Sequence, residues 1–77
     1  MPRPLNIANS APLAVTASVE QLGARLRLAR TRRRVKLRDL AARAGVAYDT
    51  ARAAECGKLS TSIAVYVALA WALGLEK

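Results

Sequence analysis

The chain has 77 residues, enough for one domain, and a domain this small buries only ~60% of the surface that its unfolded chain exposes. Its 53% hydrophobic content is mostly Ala, Leu and Val, with 4% aromatic residues and no Phe, a mixture that favours helices. Thirteen Lys and Arg face five Asp and Glu, for a formal charge of +8; one Cys excludes an internal disulfide and a Cys-rich metal site, and with no His, zinc and His-based catalysis have no obvious ligands.

Residues 1–17 read as a flexible N-terminal tail, and residues 18–77 as the domain. The tail holds every proline (Pro2, Pro4, Pro12), both asparagines and one charge, Arg3. Within it, Leu13 to Thr16 has the makings of a short strand that a partner's edge would have to complete. Ser18 with Gln21 three positions later fits a capping box. Helix 1 is therefore predicted over about Val19 to Arg33, with Leu22, Leu26 and Ala29 on its inner face. Six arginines crowd positions 25 to 34: Arg25, Arg27, Arg30, Arg32, Arg33 and Arg34. They wrap more than one face, so most must meet solvent or an anion.

Helix 2 is predicted over about Leu37 to Ala44, closed by Gly45. Helix 3 runs from about Ala47 to Cys56, with Gly57 as terminator. Ser60, Thr61 and Ser62 offer N-caps for helix 4, about Ile63 to Leu73, which Gly74 ends. No segment alternates long enough to make a sheet. The apolar run from Ile63 to Leu75 is too short to span a bilayer. Asn6, Asn9 and Ser10 break the apolar core that a signal peptide needs. A cytoplasmic protein without membrane contact is expected. Cys56 reads as a small, semi-exposed filler.

Helices 2 and 3 are short and joined by a turn of a few residues containing Gly45. That is the pattern of a helix-turn-helix, in which the second helix lies in the major groove of DNA. A pI of 11.2 is the electrostatic footprint of a nucleic-acid binder, whereas solubility alone calls for mixed signs.

The stretches Leu22-Gly-Ala-Arg25, Arg38-Asp-Leu-Ala-Ala-Arg-Ala-Gly-Val46, Thr50, Glu55-x-Gly57-Lys58 and Ala70-x-Ala-Leu-Gly-Leu75 together resemble the Cro and phage-repressor type of helix-turn-helix domain, the XRE family. The likeness covers residues 22–75. More narrowly, Leu22-Gly-Ala-Arg-Leu-Arg-Leu-Ala-Arg30, Val65-Tyr66 and Trp71-Ala-Leu-Gly-Leu75 are similar to HipB-like antitoxins. The resemblance implies an all-α, four- to five-helix, lambda-repressor-like domain, of which the reading here ends at the fourth helix. It also implies a homodimer on double-stranded DNA that represses its own operon and binds a HipA-like kinase toxin.

By the same resemblance, Ala47, Tyr48, Asp49 and Ala53 face base edges and Arg52 lies close to the backbone. The family more often has Gln, Ser, Asn and Arg there. Arg52 suits a phosphate or guanine, Tyr48 a stack or a phosphate, and Asp49 cytosine N4 at the expense of repelling phosphates. Ala47 and Ala53 offer only a methyl contact to thymine. The start of helix 2 points free N–H groups at a phosphate, flanked by Lys36 and Arg38. Lys36 and Leu37 stand where the family often has Thr and Gln, so Lys36 supplies charge where Leu37 cannot bond. Lys58 is a further phosphate candidate. Arg30 and Glu55 are implied to form a salt bridge tying helix 1 to helix 3.

Helix 4 carries no charge from Ile63 to Leu75. Ile63, Tyr66, Val67, Ala70 and Leu73 can serve the core, which leaves Val65, Leu69, Ala72 and Trp71 over. A helix apolar all round is buried all round, and one small domain cannot cover it. Val65, Tyr66, Leu69 and Trp71 are thus expected at a dimer or partner interface; the alternative is a wide core face with Trp71 partly exposed. No nucleophile sits with a base and no glycine-rich loop cradles phosphate, so neither an enzyme nor a cofactor is expected. Two classes remain: a DNA-binding repressor, and a protein-interaction module that mainly neutralises a toxin.

Overall fold

After Pro12 the sequence holds no further proline to interrupt a helix. In the computed structural model, which describes residues 12–74, α1 spans Leu13–Arg32. It is followed by α2 (Leu37–Ala44), α3 (Tyr48–Glu55) and α4 (Ile63–Ala72), and the described residues contain no strand. At 1.5 Å per residue, α1 is about 30 Å long.

The start of α1 differs from the sequence reading. The N-cap is Pro12, whose carbonyl accepts from the Val15 and Thr16 amides at 3.0 and 3.2 Å. Leu13 to Ala17 are therefore helical, neither strand nor tail. Ser18 caps nothing: it lies inside the helix and its hydroxyl donates to the Ala14 carbonyl at 3.0 Å. The physical reason is that Ser and Thr inside a helix can satisfy their hydroxyls on the carbonyl four residues back, so a cap-like pattern does not force an end. The first part of the expected tail, residues 1–11 with Arg3, lies outside the described residues.

The core is built mainly from small and branched aliphatic side chains. Leu40 and Leu69 are its largest wholly buried members, joined by Leu26, Ala41, Ala51, Ala54, Tyr66, Ala72 and Leu73. Leu26 faces inward as expected. Ala29 packs against the cluster from the side, and Leu22 is 39% exposed.

Glycine decides how α1 meets α3. A Cβ on Gly23 would lie 2.5 Å from the Ala54 carbonyl oxygen and 2.7 Å from that of Glu55. Gly57 has φ +72 and comes equally close to α1, where a Cβ would stand 2.5 Å from the Glu20 Cα. Backbone therefore packs on backbone, and only glycine at both positions allows it.

α4 packs on α2 and α3 with Tyr66, Ala70 and Leu73 inward as expected, joined by Leu69 and Ala72, which the sequence reading left over. Leu69 is wholly buried, Tyr66 is 7% exposed, and Val65 is half-buried against the core. Ile63 and Val67, expected inside, are exposed, and so is Trp71. The assignment of Tyr66, Leu69 and Val65 to an outer interface is thus corrected. A helix apolar on every side carries no phase in its sequence, so tertiary contact chooses which side is buried. Arg43 closes the far end of α4, its guanidinium donating to the Ala72 carbonyl at 3.4 Å. The Tyr66 phenol reaches the Lys58 carbonyl at 3.5 Å. Burial pushes its pKa above the usual tyrosine value, partly opposed by a hydrogen bond with Thr61.

Candidate nucleic-acid interface

α2 and α3 are eight residues each, separated by Gly45, Val46 and Ala47. Gly45 ends α2 in the left-handed region at φ 74, and the Val46 amide returns to the Ala41 carbonyl at 3.0 Å. α3 buries Ala51 and Ala54 and turns its other side outward. Ala47, Tyr48, Asp49 and Arg52 are exposed, and Ala53 is half-buried. The small inner residues let α3 sit close on the core while its outer polar side chains stay free.

Three shallow hollows run along this side. The first, 580 Å³, is lined by Arg30, Lys36, Leu37, Arg38 and Tyr48. The second, 320 Å³, shares Tyr48, Leu37 and Arg30 with the first and adds Arg27, Arg52, Glu55 and Cys56. The third, 330 Å³, shares Arg52 and Cys56 with the second and adds Asp49, Ala53 and Lys58. Shared walls make them one continuous surface. It gathers Lys36, Leu37, Arg38, Tyr48, Asp49, Arg52, Ala53 and Lys58, while Ala47 stands beside it as the exposed N-cap of α3. Leu37 is half-buried, so it serves the core and the cleft wall at once.

The surface is cationic because its acids are few. Glu55 is occupied by Arg30: Nε lies 2.7 Å from Oε2 and Nη2 lies 3.1 Å from Oε1, a two-pronged pair with side chains 14% and 5% exposed. Arg30 also donates from Nη1 to the Val35 carbonyl at 2.9 Å. One side chain thus holds the end of α1, the corner after it and the end of α3. It is the one salt bridge among the described residues, so Lys36, Arg38, Arg52 and Lys58 keep their charge free for another molecule. Asp49 is the acid left on the outer side of α3.

Arg27 is the site residue that sequence reading passed over. It lines the hollow beside Tyr48 and Arg52 although it belongs to α1. Its spacing offered a signal: three residues before Arg30 puts it on the same helix face, next to the partner of α3. Cys56 is exposed and lines two of the hollows.

Among the described residues no group of His, Cys, Asp and Glu could hold a metal ion, and no helix is long and apolar enough to cross a membrane. Compared with models of known families, with curated proteins and with solved structures, the chain has no match.

Proposed function

We propose that this chain is a double-stranded DNA-binding regulator of helix-turn-helix type, a repressor that acts as a homodimer. The observation that carries the reading is the exposed outer side of α3, bordered by Arg27, Lys36, Arg38, Arg52 and Lys58 against two free acids, Asp49 on α3 and Asp39 in the first turn of α2. α3 enters the major groove. The amides that open α2, which no side chain caps, meet a phosphate between Lys36 and Arg38. The resemblance of residues 22–75 to the Cro and phage-repressor type supports the same reading. Nothing in it calls for catalysis, and it suits a cytoplasmic protein.

The second copy docks along the outer side of α4, through Ile63, Val67 and Trp71, which are 73%, 46% and 61% exposed. No residue from Leu59 to Gly74 is charged, so two strongly cationic copies can approach there with least repulsion. A dimer would set two α3 helices ~34 Å apart, one per turn of a near-palindrome.

A second reading is favoured by the same stripe: an antitoxin of HipB-like type whose main task is to hold a HipA-like kinase. A titration separates the two. The protein is titrated with its own upstream duplex and with unrelated duplex across a salt series. DNA regulation predicts preference for the first and a steep loss of affinity with salt. Arg52→Ala should weaken the preferred site more than random DNA, and Lys36→Ala should weaken both alike. Equal affinity for both duplexes would leave the toxin-binding reading.

A further inference from the structure

Four described residues have left-handed backbone, and three of them are glycines: Gly45, Gly57 and Gly74. The fourth is Arg34, at φ 57. It sits just past α1, where the Arg34 amide donates to the Thr31 carbonyl at 3.0 Å and the Val35 amide to the Arg30 carbonyl at 3.2 Å. This pair of bonds is the helix ending that glycine favours, because a Cβ there crowds the following carbonyl. Arg34 performs a glycine's backbone task with a long cationic side chain attached.

Its side chain offers the fold nothing in return. Arg34 is exposed and makes no side-chain hydrogen bond or ion pair among the described residues. Arg33, by contrast, folds back on α1 and donates to the Ala29 carbonyl at 3.1 Å. Arg34 also adds like charge to a crowded corner, where Arg32, Arg33, Lys36 and Arg38 are all exposed within a few residues and Asp39 is the single acid beside them. Strained backbone and self-repulsion together mark a residue kept for something other than stability.

We infer that Arg34 is a phosphate-binding residue that extends the duplex contact from the start of α2 onto the α1–α2 corner, held there at the expense of fold stability. The inference rests on the duplex-binding reading above. The corner precedes α2 directly, with Arg34 two residues before Lys36, so its exposed side chain is free to take the next phosphate along a backbone seated between Lys36 and Arg38. A contact to phosphate carries no base preference. Arg34 therefore adds affinity equally to every sequence.

Two variants separate charge from backbone. Arg34→Gly removes the charge and relieves the strain; Arg34→Lys keeps both. Duplex affinity across a salt series and thermal unfolding are measured for each. Arg34→Gly should melt a few degrees higher than wild type. It should also lose about 0.9 from the salt slope, which is roughly fivefold in affinity at 0.15 M salt, alike for preferred and random duplex. Arg34→Lys should keep the wild-type slope and melting point. Wild-type binding with an unchanged slope in Arg34→Gly would overturn the inference and leave the duplex reading standing. Arg34→Gly no more stable than wild type would overturn the strained placement. A wild-type protein that binds no duplex at low salt would overturn both readings.

Discussion

Where α1 meets α3, two close glycines and one ion pair fix the contact; where α4 meets α2 and α3, apolar side chains make most of it, with one hydrogen bond from Arg43 to the Ala72 carbonyl. The first seam has a single solution. Gly23 and Gly57 let the backbones touch, and the Arg30 guanidinium then reaches the Glu55 carboxylate at 2.7 Å. The second seam has several near-equal solutions, because α4 presents apolar residues in every direction. Directional contacts specify an arrangement; apolar burial rewards any side that fits. The two seams should therefore fail differently.

The largest loss is expected from Glu55→Ala. It would leave the Arg30 guanidinium, 14% exposed, without its partner and should cost about 3–5 kcal/mol. Asp49→Ala, on the exposed side of α3, should cost under about 0.5 kcal/mol. Urea unfolding of both variants checks the difference, and equal midpoints would mean that the ion pair does not secure the first seam. Next comes the second seam. Leu69→Ala should cost about 3 kcal/mol, and Trp71→Ala little to the folded monomer but much to self-association. Unfolding curves at low protein concentration, with sedimentation at high concentration, read the two effects apart. A monomer-destabilising Trp71→Ala with a mild Leu69→Ala would reverse the phase of α4 described here. Back at the first seam, Gly23→Ala should cost about 2 kcal/mol: the added methyl clashes with backbone carbonyls, while Ala's better helix propensity returns part of the cost. If Gly23→Ala raised the melting point, the Ala54 carbonyl could not stand as near as 2.5 Å to the place that the new Cβ must take.

The shorter helices were legible to within a residue or two. α2 and α3 have glycines just beyond them and one clearly apolar face, so their limits follow from local chemistry. The side chains around α3 came from the resemblance to the Cro and phage-repressor type rather than from local chemistry; the structure adds that Ala51 and Ala54 form the inner face. Arg27 was missed because its place in the cleft depends on a neighbour 25 residues from Arg30 along the chain. Arg34 was read as one arginine of six, since nothing local announces a left-handed φ in a residue that is not glycine. The early start of α1 was hidden by Ser18, whose cap-like spacing with Gln21 is satisfied equally well inside a helix.

Composition, charge and period by themselves determined that the chain is helical, that its cations cluster between Arg25 and Lys58, and that Leu59 to Leu75 carries no charge. Those are local or summed properties, which a chain possesses before it folds. Only the tertiary structure decided which side of α4 is buried, that Gly23 and Gly57 let α1 and α3 touch, and that Arg34 takes a glycine's conformation. Each depends on what another part of the chain brings into contact, and apolar surface alone is indifferent to direction.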